Sequence, residues 1–529
     1  MQQSKKHQRS MPTIILDKSY WKFMANSDDP RSFDAIHADT SFFGHPRGLA
    51  TLFFTEMWER FSYYGMRAIL ILYMVDKIAH GGLGFGDAKA GSVYGLYTSM
   101  VYLLCLGGGW IADRVTGQRR AVLLGGIFIA AGEFCLVMPN EVFFYAGLVL
   151  LMMGTGLLKG NVSTIVGQLY AKSDVRRDSG FSIFYMGINT GALISPIFCG
   201  WVGENISWRW GFGLAGIGML AGLIQFVLGY KHLGSAGLHP ASTGDPRLDR
   251  RQRNNALVAV GGALGAVALL AVLSAAGVVP IAATQVGDAL GWIELGIAIL
   301  VFSWLLMGGG WSPEERKRSA AILVLFVASA LFWASFEQAG STLNLFAERN
   351  TNRALPFHAF PVFPASWFQT VQPIFVVALS PVFAWLWLAL ARRKKEPPSP
   401  AKFALGLLFA GLAFALLVPP ASRVAFGQQA AMWWLIGTYL LQTLGELCLS
   451  PIGLSAVSKL APDRAAGFMM GIWFLSISIG NWLAGNAVAF SVNMSMPTLF
   501  GDVAMFSIAA SLVLAVLIRP TVRLMSGVK

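Results

Sequence analysis

Charged side chains stand inside several long apolar runs of this sequence, and the densest group lies between residues 56 and 67. On an α-helix, which turns by about 100° per residue, two acids, two bases and two tyrosines of this stretch fall within roughly 140° of arc. A charge in the middle of a bilayer costs about 2.5–3.5 kcal/mol, so such a stripe indicates a wet cavity. A ladder of ion pairs that only holds helices together is the alternative, but this stripe has more polar groups than packing requires. It consists of Glu56, Glu59, Arg60, Tyr63, Tyr64 and Arg67.

Three further charged residues in apolar runs are candidates for the same cavity. Lys159 follows a glycine-rich stretch, but a phosphate-binding loop is excluded because the stretch lies in a membrane-length helix with no strand before it. Lys159 is instead a candidate partner for a carboxylate or anchor for an anion, unless its long side chain extends to the membrane surface. Glu337 and Glu446 are candidate carboxylate partners. Glu133 and Glu294 have no polar neighbour at helical spacing, so we expect both to lie outside the site.

The composition indicates which class of protein holds these charges. Of the 529 residues, 55% are apolar and only 13% are charged, which is about half the charged fraction of a soluble domain. The chain is therefore predicted to be an integral membrane protein. Basic residues beside membrane spans explain the net charge of +13, so nucleic-acid binding is excluded. All four cysteines lie in apolar runs and the histidines lie outside them, so no disulfide framework, metal site or histidine relay is expected.

Apolar runs of about twenty residues mark the membrane spans, because a helix of this length crosses a bilayer. Two groups of six runs, with two more between them, predict an all-α fold of fourteen helices. Two six-helix bundles that face each other across a central cavity are typical of transporters. The predicted spans are 49–76, 89–112, 120–138, 143–170, 180–203, 210–230, 256–279, 287–310, 320–347, 367–391, 402–419, 430–458, 466–490 and 497–518.

Polar segments divide this chain and also orient it. Roughly five Lys or Arg residues lie on the side of the amino-terminal tail for each one on the other side, which predicts that both termini are cytoplasmic. We expect the membrane to be the cytoplasmic (inner) membrane. The hairpin at about 256–310 is poor in polar residues and is expected to be peripheral, with a structural or regulatory role. The predicted parts are a basic tail (1–48), a first bundle (49–230), a linker with the hairpin (231–319), a second bundle (320–518) and a short tail (519–529).

Several blocks of the sequence resemble the motifs of the proton-coupled oligopeptide transporter family, a branch of the major facilitator superfamily. The resemblance covers residues 46–518, and the family's first block, Glu-x-x-Glu-Arg-Phe-x-Tyr-Tyr-Gly, is complete at residues 56–65. The blocks keep the family's order, which chance does not explain. The other blocks lie at residues 159–163, 184–191, 332–338, 445–455, 459–462 and 469–474, and the loop signature of the superfamily lies at 109–120.

This resemblance implies a symporter that imports di- and tripeptides together with protons by alternating access. It also implies that the lipid bilayer, protons and peptides are the partners, that no cofactor is needed and that a monomer is sufficient. The residues implied in proton coupling are Glu56, Glu59, Arg60 and Glu337.

The resemblance also implies how a peptide is held. Arg67 and Lys159 would face its carboxylate, whereas Asn189 and Glu446 would face its amino group. An ion pair between Arg67 and Glu337 would close the outer gate, and one between Lys159 and Glu446 would close the inner gate. The implied peptide-binding set is Tyr63, Tyr64, Arg67, Tyr102, Lys159, Asn189, Gln372, Glu446, Ser450 and Trp473.

Two positions depart from the pattern of the family. Gln372 precedes Pro373 where the family often has asparagine, and Gly160 follows the lysine where the family usually has proline. Glutamine keeps the amide on a longer arm, and glycine alters a bend in the helix, so the range of substrates rather than the mechanism is in question. The chemistry of the residues agrees with the resemblance, because cations in one bundle and a carboxylate in the other can bind both ends of a zwitterion.

Two other functions compete with peptide transport. A relative that exports drugs or imports nitrate would keep the fold, but a small anion needs no amine-binding carboxylate such as Glu446 beside Asn189. A membrane enzyme or receptor is disfavoured, because the spans contain no metal-ligand cluster, phosphate loop or Ser-His-Asp arrangement. Neutralising Lys159 would separate these functions, since a peptide symporter would lose proton-driven uptake and an enzyme would be indifferent.

Overall fold

The computed structural model describes residues 37–526 except 172–173, 241, 243, 276–282, 309, 358–359, 463–465 and 492–493. Within these residues, 12 helices are long and apolar enough to cross a membrane. Two more long helices complete the predicted fourteen. They are the first helix, which carries the charged stripe, and the first hairpin helix, which begins with a strongly charged stretch.

The first six membrane-length helical segments form what we call the N half, residues 47–229. Its helices are α1 (Arg47–Val75), α2 (Asp87–Ile111), α3 (Gln118–Val137), α4 (Glu141–Gln168), α5 (Arg177–Ser195), α6 (Trp201–Asn205) and α7 (Trp208–Gly229). A π-helical turn at Pro196–Gly200 joins α5 to α6, so these segments form the single rod that was predicted. A second π-helical turn, Ala112–Thr116, extends α2.

The hairpin helices α8 (Pro246–Ala275) and α9 (Ala283–Met307) separate this half from the C half, residues 313–524. The helices of the C half are α10 (Pro313–Phe336), α11 (Thr342–Asn350), α12 (Phe368–Arg392), α13 (Ser399–Ala415), α14 (Val418–Val424), α15 (Met432–Leu460), α16 (Ala466–Ser491) and α17 (Met496–Leu524). The span predicted at 320–347 is interrupted by a 3-10 turn at Glu337–Gly340. A candidate site residue therefore begins the break between α10 and α11.

Side chains at the helix starts explain several boundaries. At α10, the Glu315 N–H donates to Ser312 Oγ (3.1 Å), and the Ser312 N–H donates to the Glu315 carboxylate (2.7 Å). This reciprocal pair is a capping box, and Pro313 fits the first turn because that position needs no N–H donor. At α4, Asn140 accepts a hydrogen bond from the Val142 N–H. Local chemistry thus fixes where these rods begin.

Four short strands lie in the loops and were not predicted. β1 (Thr351–Asn352) pairs in parallel with β4 (Ala430–Ala431). β2 (Ala354–Phe357) pairs antiparallel with β3 (Phe360–Val362). They cover the end of the C half at which α11 finishes.

The two halves meet closely at one end of the molecule. We call the end at which α1 begins and α17 finishes the proximal face, and the opposite end the distal face. Near the distal face, α2 and α16 approach so closely that a Cβ atom on Gly95 would lie 2.7 Å from the Gly485 Cα atom. A buried apolar cluster continues there from the N half into α11 and α15, through Leu343, Phe346 and Tyr439. Apolar packing therefore joins the halves near the distal face.

Candidate functional site: a charged cavity between the halves

The stripe predicted on α1 forms a buried ion cluster. The Arg60 Nε atom lies 2.8 Å from Glu56 Oε1 and 2.8 Å from Glu59 Oε2. These three side chains are at most 3% exposed. The Arg60 guanidinium also lies 5.7 Å from the centre of the Tyr63 ring. One guanidinium between two carboxylates leaves a net negative charge when all three are ionised, so a proton or a second cation would stabilise the cluster.

Lys159 of α4 supplies a second cation near this cluster. It lies within electrostatic range of Arg60, Glu59 and Glu56. Its Nζ atom is 3.8 Å from the centre of the Tyr102 ring, which is a cation–π contact. Over the described residues, Lys159 forms neither a direct ion pair nor a hydrogen bond. Its ammonium group is therefore available to an anion in the cavity.

Arg67 and Glu337 form an ion pair across the two halves. The Arg67 Nη2 atom donates to Glu337 Oε2, and the Arg67 Nε atom donates to the Tyr94 hydroxyl at 2.7 Å. Arg67 is 6% exposed and Glu337 is 2% exposed. Gly340 makes room for this contact, because a Cβ atom there would lie 1.8 Å from the Tyr94 hydroxyl and 3.0 Å from Arg67 Nε. The pair thus depends on a phenol and on a glycine nearby.

Further polar contacts close the distal end beyond this pair. The backbone N–H groups of Ala365 and Ser366 each donate to the Glu204 carboxylate at 2.8 Å. Arg349 donates to both carboxylate oxygens of Asp87, at 2.6 and 3.0 Å. We call the contacts of Arg67, Asp87 and Glu204 with the C half the distal seal. The cavity is closed toward the distal face in this conformation.

The carboxylate of Glu446 lies in the middle of α15 and is half-buried. The Gln372 side-chain amide of α12 donates to it at 2.6 Å. Tyr64 and Tyr185 of the N half lie within electrostatic range of Glu446. Asn189 donates its amide N–H to the Tyr185 carbonyl at 2.9 Å, so its amide oxygen remains as an acceptor. Groups from both halves thus surround Glu446.

Lys159 and Glu446, by contrast, do not pair in this conformation. No ion pair joins them among the described residues, since Lys159 contacts the Tyr102 ring and Glu446 contacts Gln372. On the proximal side of the cluster, Gly160 is exposed and Tyr185 is 48% exposed. The cavity is therefore open toward the proximal face. The role of the pair as a gate stays a prediction.

Two further predicted residues lie on the C half. Ser450 is half-buried one turn after Glu446 on α15, so both lie on the same face of the helix. Trp473 is 4% exposed and packs inside the C half. A Cβ atom on Gly453 would lie 2.1 Å from its ring, and the Phe403 ring centre is 6.1 Å away. Contact of Trp473 with a ligand remains a prediction.

The sequence analysis did not identify every residue that joins the halves. Tyr94 lies three residues before Tyr97 on α2, and this spacing of aromatic residues could have indicated it. Glu204 follows the π-helical turn, and its partners Ala365 and Ser366 are distant in sequence, so no local pattern signals it. The described ranges contain no group of three or more His, Cys, Asp or Glu side chains that could hold a metal ion.

Comparison with known proteins agrees with this arrangement. The family described as the POT family matches residues 119–242 and 306–502. The "Peptide transporter YePEPT" of Yersinia enterocolitica is 39% identical over 92% of this chain and 96% of its own length. The "Di-/tripeptide transporter" of Lactococcus lactis subsp. cremoris is 34% identical over 93% of this chain and 99% of its own.

A solved structure shares the fold over nearly the whole chain. The crystal structure of a peptide transporter POT in complex with sulfate is 41% identical, with a TM-score of 0.86, and the match covers 94% of this chain and 100% of that one. The resemblance seen in the sequence motifs is thereby confirmed, as is the helical transporter architecture. This chain is a multi-span membrane transporter, not an enzyme, and it belongs to the POT family.

Proposed function

We propose that this protein is a proton-coupled symporter that carries di- and tripeptides by alternating access. The observation that carries the proposal is the pair of groups left facing the cavity. Within the described ranges, Lys159 on the N half forms no direct ion pair, and Glu446 on the C half has only the Gln372 amide as a hydrogen-bond partner. A zwitterionic peptide presents one carboxylate and one ammonium group, and charge-assisted hydrogen bonds to both ends would be strong.

The peptide would bridge the two halves at this point. With its carboxylate on Lys159 and its ammonium on Glu446, it would attract the halves toward each other at the open proximal end. Arg67 is engaged by Glu337 and Tyr94 in this conformation, so it would reach a peptide only after the distal seal changes. Tyr63, Tyr64, Tyr102 and Asn189 would line the cavity from the N half, and Gln372, Ser450 and Trp473 from the C half.

The proton would act on the buried carboxylates. Glu56 and Glu59 share one guanidinium, and a peptide carboxylate that binds Lys159 would withdraw a nearby cation from them. A proton on one of the two glutamates would then offset the loss. Glu337 has the same relation to Arg67, so proton binding there would weaken the distal seal. Opposite charges stabilise a carboxylate and their removal favours its neutral form.

The orientation follows from the basic residues. Among the described residues, most Lys and Arg residues outside the spans lie at the proximal face, and this bias supports a cytoplasmic location for both termini. The membrane would be the cytoplasmic (inner) membrane. The cavity lies within one chain and both halves come from that chain, so a monomer would be sufficient.

The first test is uptake of labelled dialanine into proteoliposomes, with and without an inward proton gradient. Accumulation should require the gradient. Unlabelled dialanine should compete, whereas N-acetyl-dialanine and dialanine amide, which lack one charged end each, should compete at least tenfold less well. No uptake of several di- and tripeptides under a confirmed gradient would contradict the proposal. Cargo such as nitrate or a drug would then be tested, with Gln372 the first residue to examine.

A further inference from the structure

One acid of the hairpin lies at the seam between the halves. Glu294, in the middle of α9, is fully buried at 0% exposure. Its own helix offers no polar neighbour at helical spacing, as the sequence indicated. The structure provides two from other helices: Ser99 of α2, in the N half, and Ser478 of α16, in the C half. A peripheral hairpin packed through small residues has no need of such a contact.

Four short oxygen–oxygen contacts meet at this point. Ser99 Oγ lies 2.6 Å from Glu294 Oε1, and Ser478 Oγ lies 2.9 Å from the same oxygen. The two hydroxyl oxygens are 2.9 Å apart, and Ser478 Oγ lies 2.7 Å from the Ser99 carbonyl oxygen. The three residues thus form one hydrogen-bonded group that includes the hairpin and both halves.

A count of hydrogen atoms indicates the charge state of this group. The two hydroxyls can donate only two hydrogen bonds. The four contacts need four hydrogen atoms, so two of them have none when Glu294 is ionised, whereas a protonated carboxyl group supplies a third hydrogen atom. Glu294 Oε2 has no hydrogen-bond partner among the described residues. An ionised carboxylate with one unpartnered oxygen is costly in apolar surroundings, so the protonated form fits this site.

No charged side chain compensates Glu294 from the helices packed against it. α16 contains no ionisable residue. On α2, Tyr94 bonds Arg67 and Tyr97 stacks on Tyr63, so both point into the N half. The charges of α10 all lie in its first turns. The titratable residues of these elements are Asp288 on α9, Asp87, Lys89, Tyr94, Tyr97, Tyr102 and Cys105 on α2, and Glu314, Glu315, Arg316, Lys317 and Arg318 on α10.

We propose that protonated Glu294 is a clasp that joins the hairpin to both halves across the α2–α16 seam, and that loss of its proton loosens the seam. An ionised Glu294 could only accept hydrogen bonds from Ser99 and Ser478, and its Oε2 atom, which has no donor among the described residues, would need water, which enters only if the helices separate. Glu294 touches no ligand, so it is a positioning residue. The clasp does not depend on the cargo, whereas its effect on transport rests on the proposed function.

The test measures the contact between the hairpin and α2 directly. Gly287 lies two turns before Glu294 on α9, and a Cβ atom there would lie 3.7 Å from the Leu96 Cβ atom. That separation suits a disulfide, for which Cβ atoms are about 3.5–4.5 Å apart. Gly287→Cys and Leu96→Cys are combined in the full chain, with the four native cysteines replaced by alanine. Cross-linking rates are measured in lipid at about pH 6 and pH 8, with Glu294 or with Glu294→Gln.

At each pH, the rate with Glu294 is divided by the rate with Glu294→Gln. This ratio removes the effect of pH on the ionisation of the thiols, which is the same in both proteins. We expect the rate with Glu294, relative to Glu294→Gln, to fall at least threefold from pH 6 to pH 8, because glutamine always keeps a donor. Ser478→Ala should give a low rate at both pH values. A ratio that stays constant would overturn the proposal and leave Glu294 a structural residue.

Glu133→Gln is the matched control. Glu133 is also fully buried and accepts a hydrogen bond from a serine, Ser62 at 2.9 Å, but both residues lie in the N half. The cross-linking rate with Glu133, relative to Glu133→Gln, should be the same at pH 6 and pH 8. A fall as large as the one expected for Glu294 would overturn the proposal. Peptide counterflow should lose less rate at pH 8 in Glu294→Gln than in the wild type. A wild type that carries no peptide would contradict the proposed function while the cross-linking result still decides the clasp.

Discussion

Two pairs of opposite charges were expected to join the halves, and the structure contains only one of them. Arg67 and Glu337 are in contact and almost fully buried near the distal face. Lys159 and Glu446 are half-buried, do not touch each other and face the proximal opening. The difference indicates that a charge pair here marks the closed end of the cavity. The unpaired residues are those free to bind a ligand.

The largest expected effect is at the unpaired lysine. Lys159→Gln should reduce proton-driven dialanine uptake at least 50-fold, because a charge-assisted hydrogen bond is worth about 1.5–3 kcal/mol and the nearby cluster also loses a cation. Lys159→Arg should keep part of the uptake. Lys402→Gln is the control, since Lys402 likewise lies over an aromatic ring, 4.6 Å from the centre of Trp387, but already has a counter-ion in Glu396 at 2.6 Å. If Lys159→Gln and Lys402→Gln lost the same uptake, the unpaired lysine would have no special role in ligand binding.

The next largest effect should follow from breaking the buried pair. Glu337→Gln leaves Arg67 without a counter-ion, and such losses cost about 3–5 kcal/mol in buried pairs. Asp87→Asn breaks the exposed bidentate pair with Arg349 in the same distal seal, where less than about 1 kcal/mol is expected. Thermal unfolding of both variants in detergent measures the difference. If both variants lose the same stability, burial is not what distinguishes the central pair.

A smaller effect is expected from filling the space beside the pair. Gly340→Ala places a Cβ atom 1.8 Å from the Tyr94 hydroxyl, so the distal seal cannot close without a shift. Uptake should fall about tenfold, since the cost of such overpacking is about 1–3 kcal/mol. Gly501→Ala is the control because it has nothing within 4 Å of the added atom. Wild-type uptake by Gly340→Ala would show that the seal tolerates a looser contact.

The smallest effect is expected at Gln372, beside the carboxylate at the open end of the cavity. Gln372→Asn shortens the side chain that donates to Glu446 at 2.6 Å. We expect the KM for dialanine to change by about two- to fivefold while kcat stays nearly constant, because the shorter side chain weakens rather than removes a hydrogen bond to a carboxylate, which is worth about 1.5–3 kcal/mol when intact. Gln369→Asn, one turn earlier and directed at the Ala68 carbonyl, serves as the control. A change in kcat alone would place Gln372 in the conformational step rather than in binding.

The sequence predicted the elements of this fold well, because each long apolar run can only be a spanning helix. The run at 120–138, for example, corresponds to Gln118–Val137. Breaks inside rods were missed. The 3-10 turn at Glu337–Gly340 and the π-helical turn at Pro196–Gly200 depend on contacts between helices, which the periodicity of a single run does not contain.

The site shows the same limit. Glu56, Glu59 and Arg60 share one helix, so helical spacing alone placed them together. Glu337 was connected to Arg67 only through the resemblance to a family. Nothing in the sequence connects Glu294 with Ser99 and Ser478, because its own helix has no polar residue at helical spacing from it. Its partners lie on helices far away in the chain, and only packing brings them together.

The helix α12 differs from its neighbours in where it is held. All its buried residues lie in its first third, and Trp367 just before it donates to the Ile197 carbonyl at 3.0 Å. Pro373 and Pro381 remove two N–H groups from its ladder, and each proline favours a bend. The helix is therefore held by its first third only, and Pro373, directly after Gln372, is a position at which it can bend. A longer ligand at Glu446 would push the remainder of α12 outward, so the bend angle of this helix would increase with the length of the ligand.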